Sequence, residues 1–201
     1  THPGLIGLMA LAMLGFAGWE VLSRQKHRFV GAWGYGIGTL SMFLSSFSVL
    51  ILTLAVIIGG EPWYQPQYLI PLLGMLLGNT MSGVALALDN LTRDAWNARG
   101  RIEARLILGE TWDCAISGIR RDALRAGLIP IVNAMATAGV VSLPGMMTGQ
   151  ILAGSPPIEA AKYQLLVMFV ISAGTGLGAT AAVWLGSRRL FDERQRLRLD
   201  R

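Results

Sequence analysis

Cysteine is nearly absent from this sequence, and that scarcity narrows the chemistry at once. The one thiol, Cys114, has no partner for a disulfide and no second thiolate for a metal site. Histidine is almost as scarce, and both His2 and His27 fall outside the apolar runs, so histidine-spaced metal chemistry finds no support. Charge is thin: 14% of residues are Asp, Glu, Lys or Arg against 53% hydrophobic, a balance unlike that of a soluble domain. No GxxxxGK[ST] phosphate loop occurs, so the chain carries no nucleotide site of that kind. Neither paired carboxylates nor a nucleophile with a base occurs at membrane depth, which leaves a membrane-bound enzyme without support. The first apolar run has no basic segment before it and no cleavage site after it, so a signal peptide is not expected there. The net charge of +5 comes without an aromatic-interleaved basic groove, which argues against nucleic acid.

What is abundant is apolar sequence. A membrane-crossing helix needs about 20 mostly apolar residues, and about five stretches approach that length: Gly4–Leu22, Val30–Ile58, Leu69–Asn90, Leu128–Leu143 and Tyr163–Gly186. The expected fold is therefore all-α, a polytopic transmembrane helical bundle of about five spans forming a single domain over 1–201. Because the chain opens on Thr1 and becomes apolar within three residues, sequence missing from the N-terminus is expected.

Between the spans, EPWYQPQY places Trp63, Tyr64 and Tyr68 at an interface turn. The proline- and glycine-rich SLPGMMTGQILAGSPPIEAAK reads as a re-entrant or interfacial loop. Serines 41, 45, 46 and 48 are expected to face other helices. With five crossings, all of the 17 Lys and Arg residues except Lys162 fall on one side, which the positive-inside rule makes cytoplasmic together with the C-terminus.

One stretch differs from the rest. Residues 91–127 form a long cytoplasmic segment in which Ile102, Leu106, Gly109, Trp112, Ile116, Ile119 and Ala123 recur at spacings of three and four, an apolar stripe on a charged helix. An amphipathic helix lying under the bilayer, its arginines on anionic lipid, would read the same way.

Within that segment, Glu103-Ala104 followed by Gly109 resembles the EAA-type loop of ABC transporter permeases, with Arg105 in place of the second alanine and Pro130 later than usual. Tyr68–Leu91, Ile102–Asp113 and Leu128–Gln164, including PGMMTGQ, together look like the FetB family of membrane subunits, associated with iron export and similar to the plant aluminium-tolerance permease. The resemblance implies about two further spans before Thr1. It also implies a permease in an inner membrane that forms a homodimer and works with a separate ATPase subunit, so that ATP acts only through that partner. Glu103, Ala104, Arg105 and Gly109 would then make the ATPase contact, and iron or another metal would be the cargo.

Cargo contacts are less defined by the sequence. Asn79, Thr80, Asn133 and Gln150 are polar residues in or beside spans, suited either to a transport pathway or to hydrogen bonding between helices. Met146 and Met147, with Met75 and Met81, offer thioether sulfur that suits Cu(I), yet no His or Cys accompanies them and packing is the other use of methionine. Glu20 and Asp89 near span ends would attract a cation or pair with Arg24 and Arg93. A secondary transporter or channel is the rival class, but it predicts mid-span ionisable residues or inverted repeats, and neither is evident. A metal chelate or a nucleotide-sugar as cargo would leave the same coupling segment.

Overall fold

Apolar residues spaced three and four apart commit nearly all of this chain to helix. The computed structural model is accordingly all-α over residues 3–24, 33–58, 66–139, 144–192 and 196–197, which are the residues it describes. In order come α1 (Pro3–Arg24), α2 (Trp33–Met42), α3 (Ser48–Leu52), α4 (Pro66–Asn97), α5 (Arg99–Ile107), α6 (Trp112–Thr137), α7 (Gly145–Leu152) and α8 (Pro157–Arg189). A π-helical turn, Phe43–Phe47, joins α2 to α3 with helical backbone on both sides, and a second, Thr53–Ile58, prolongs the rod. The wider π turn lets the adjacent Ser45 and Ser46 both point inward. Ser41 is buried as well, donating to the Ile37 carbonyl at 2.7 Å, whereas Ser48 is exposed.

The helix ends follow from local chemistry. α8 begins at Pro157, whose fixed φ and missing N–H suit a first helical position. α5 and α7 each end in a glycine with positive φ, Gly109 at +92° and Gly154 at +91°. In both, paired backbone hydrogen bonds close the last turn: Glu110 N–H to Arg105 and Gly109 N–H to Leu106, then Ser155 N–H to Gln150 and Gly154 N–H to Ile151. The charged run Ile102–Gly127 is thus two helices meeting at Gly109. The stretch 144–161, expected as a re-entrant or interfacial loop, contains the short helix α7. Of the EPWYQPQY turn, residues 61–65 lie outside the described residues, as does most of the charged tail, while Pro66, Gln67 and Tyr68 open α4.

Five spans is an overcount. Among the described residues, three helical stretches are long and apolar enough to cross a membrane: Trp33–Ala55, Leu69–Asn97 and Pro157–Arg189. The expected first span, Gly4–Leu22, falls on α1, a 22-residue helix that is not among the three and that carries Glu20 and Arg24 in its last turns. The expected fourth fails because α6 stops at Thr137 and its first half carries Asp113, Arg120, Arg121, Asp122 and Arg125.

α4 is the central helix, packed on α1, α6 and α8. Small residues let these axes approach: a Cβ on Gly127 of α6 would lie 2.8 Å from both the Ala87 Cβ and the Gly83 carbonyl of α4. α6 runs antiparallel to both α4 and α8. Gly127 meets Gly83 while Ile119 meets the far end of α4, and Met135 meets Ser172 while Trp112 lies 5.6 Å from Phe191. Arg189 sits 4.3 Å over the Trp33 ring, which brings the start of α2 to the same end. Loop parity based on five crossings no longer applies, yet these contacts themselves gather the arginines of α4, α5, the first half of α6 and the end of α8 at one end. Lys162, paired with Glu159 at 2.7 Å, lies near the start of α8, at the other.

Candidate functional site

At the basic end α5 and α6 form an elbow around Leu108–Thr111, and the apolar stripe explains how it is held. Ile102, Ile116, Ile119 and Ala123 are buried, while Leu106 and Trp112 pack at the edge of the core. Gly109 leaves the stripe, since nothing lies within 4 Å of where its Cβ would be, and its positive φ turns the chain instead. Arg105 braces the elbow: one guanidinium nitrogen meets the Glu110 carboxylate at 2.7 Å and another donates to the Ala115 carbonyl at 3.1 Å. On α6, Arg120 braces the first turns in the same manner, 2.7 Å from Asp113 and 5.8 Å over Trp112.

The opposite face of α5 is what this bracing presents. Ala104, Ile107 and Leu108, at i, i+3 and i+4, share one side of the helix, and Ile107 and Leu108 are 85% and 83% exposed. Glu103 flanks them, paired with Arg99 at 2.9 Å and still half exposed. Of the four sequence-predicted contact residues, Glu103 and Ala104 reach this outer surface, whereas Arg105 and Gly109 shape the turn beneath it. Ile107 and Leu108 were not singled out by sequence, although two large apolar residues off the stripe and just before a helix-ending glycine are a usable signal. Next to the elbow, Asp94, Asn97, Arg101, Ile119 and Asp122 line a polar hollow of about 410 Å³.

The pathway candidates do not converge. Asn79 is exposed on α4 and donates to the Met75 carbonyl at 2.8 Å. Asn133 is exposed on α6, its carbonyl accepting from Thr137 at 2.9 Å. Thr80 is fully buried against α8, its methyl 2.5 Å from where a Gly178 Cβ would sit, and its hydroxyl has no hydrogen-bond partner among the described residues. Gln150 and Met146 lie on α7, half-buried, with Met146 against the core. Met147 lines a cavity with Met135 and Met168, two methionines that sequence reasoning passed over. Glu20 pairs with Arg24 at 3.0 Å, and Arg93 pairs with Asp94 at 3.1 Å and with the side chain of Asn90. Among the described residues no group of three His, Cys, Asp or Glu side chains could hold a metal ion.

Residues 1–191 match the model of an uncharacterised protein family, UPF0014. A UPF0014 membrane protein of Synechocystis is 44% identical over 98% of this chain and 75% of its own length. The "Probable iron export permease protein FetB" of Escherichia coli is 35% identical over 94% of the chain and 71% of its own length. The plant protein ALUMINUM SENSITIVE 3 of Arabidopsis thaliana is 30% identical over 92% of the chain and 65% of its own length. No solved structure matches the chain. With multiple apolar helices long enough to cross a membrane and a family match over nearly its whole length, the chain is a multi-pass membrane protein that belongs to the UPF0014 family.

Proposed function

We propose that this chain is the permease subunit of an ATP-driven transporter that carries a metal ion out of the cytoplasm, iron being the first cargo to test. The observation that supports it is the α5–α6 elbow: a braced turn at the basic end that exposes Ala104, Ile107 and Leu108 beside Glu103. Exposed apolar side chains on Trp33–Ala55 and α8 fall within stretches long enough to cross a membrane, where lipid covers them. Those of α5 sit among arginines and carboxylates and call for a protein partner. A separate ATPase subunit fits that surface, taking the apolar patch into a groove and transmitting its closure on ATP through α5 to α6 and α4. The names of the Escherichia coli and plant relatives point toward metals, and the arginine-rich end is cytoplasmic by the positive-inside rule.

Two copies of the chain would complete the permease. Asn79 on α4 and Asn133 on α6 are exposed, and polar side chains at membrane depth need a polar surround rather than lipid. A second copy facing them, with the pathway between, supplies it. The reading is tested by coexpressing the Glu103→Arg variant with the ATPase encoded nearest the gene. Loss of copurification and of stimulated ATP turnover is expected; unchanged association and turnover would sink it.

A further inference from the structure

At the end of the bundle opposite the elbow, a cavity of about 260 Å³ opens between the end of α6, α7 and the first turns of α8. Each of the three elements contributes one methionine to its wall: Met135 from α6, Met147 from α7 and Met168 from α8. Gln164 lines it too; it is 8% exposed, and its side-chain carbonyl oxygen has no hydrogen-bond partner among the described residues. A buried amide oxygen left so is costly, and a turn of this side chain toward the cavity it lines would give the oxygen a cation to meet. The Met135 sulfur is not loose, because the Ser172 hydroxyl donates to it at 2.7 Å, occupying one lone pair and leaving the other.

We propose that this cavity binds a soft monovalent metal cation, Cu(I) or Ag(I), on the thioethers of Met135, Met147 and Met168, with the Gln164 amide oxygen as a fourth donor. Thioethers are soft ligands that select such ions over the hard Fe(III), Al(III) or Mg(II). The donor set is neutral, and the cost of bringing an ion into an apolar wall rises with the square of its charge, so one positive charge is tolerated where two or three are not. Methionine has three rotatable bonds, which lets the walls contract around an ion smaller than the cavity. Unlike thiol or imidazole, a thioether has no proton to lose, so binding does not weaken as pH falls. Ser172 acts as a positioning residue that aims the Met135 sulfur.

The test uses the full chain in detergent with Cys114→Ser, because the exposed Cys114 thiol would otherwise take up the same ions. Titration with Ag(I) is expected to show one tight site per chain, equally strong at pH 5 and pH 7. Replacing Met135, Met147 and Met168 together by leucine, close in volume, should weaken it about 100-fold or more, and Ser172→Ala about 10-fold. The same triple replacement at Met13, Met75 and Met81 should leave it unchanged. Should the first triple variant fail to fold, ¹³C-methyl methionine spectra of the Cys114→Ser chain decide: Ag(I) must move the signals of Met135, Met147 and Met168. No tight site, a site insensitive to these methionines, or shifts confined to other methionines overturns the proposal. The site rests on the cavity alone, so it stands or falls separately from ATP-driven transport.

Discussion

Gly109 holds the last turn of α5 at φ +92°, a conformation that strains any side chain with a Cβ, and there is open space around it. Gly109→Val therefore costs backbone strain without a clash, about 1–2 kcal/mol, and thermal unfolding in detergent should show it as a modest fall in midpoint. Gly127→Leu meets the opposite situation. Its Cβ would press on Ala87 and the Gly83 carbonyl, and overpacking of about 1–3 kcal/mol is expected, whereas Gly118→Leu on the open side of α6 should be near neutral. Arg105 is partly exposed, so its ion pair contributes little to global stability. Arg105→Ala should leave the unfolding midpoint almost unchanged while amide exchange at Leu108–Thr111 quickens. Equal exchange in both forms would show that the guanidinium does not brace the turn.

At the scale of elements, the heptad-like spacing from Ile102 to Ala123 was readable because burial of one helical face leaves a period in the sequence. The break at Gly109 was also written there, as a glycine after Leu108 followed by Thr111 and an acidic residue, Asp113, in the next first turn. A glycine that fits a stripe and a glycine that ends a helix look alike until the backbone is seen. Ile107 and Leu108 escaped notice because periodicity finds what is buried, and their importance lies in being off the buried face. The span count failed for a related reason. Apolar composition marked Gly4–Leu22 and Leu128–Leu143 as crossings, but α1 carries Glu20 and Arg24 in its last turns, and α6 stops at Thr137 after a charged first half. Of the methionine cavity only Met147 was singled out from sequence, since Met135 and Met168 lie on other helices and meet it only because α6 and α8 run antiparallel.

For the whole molecule, the proposed function puts the arginine-rich end in the cytoplasm, and the lone thiol tests that orientation. Cys114 is exposed on the first turn of α6, beside the elbow. A membrane-impermeant maleimide should label it in inverted vesicles and not in right-side-out ones; labelling only from outside would reverse the orientation. The most direct test concerns the elbow as a docking surface for an ATPase. Leu108 and Leu152 are both 83% exposed, the first on the elbow and the second on α7 at the opposite end. Burying a leucine in a partner is worth about 1.5–3 kcal/mol, so Leu108→Ser should weaken affinity for the ATPase subunit about 10- to 100-fold in a direct binding measurement. Leu152→Ser should leave that affinity unchanged, and equal binding by the Leu108→Ser and unsubstituted chains would contradict docking through the elbow.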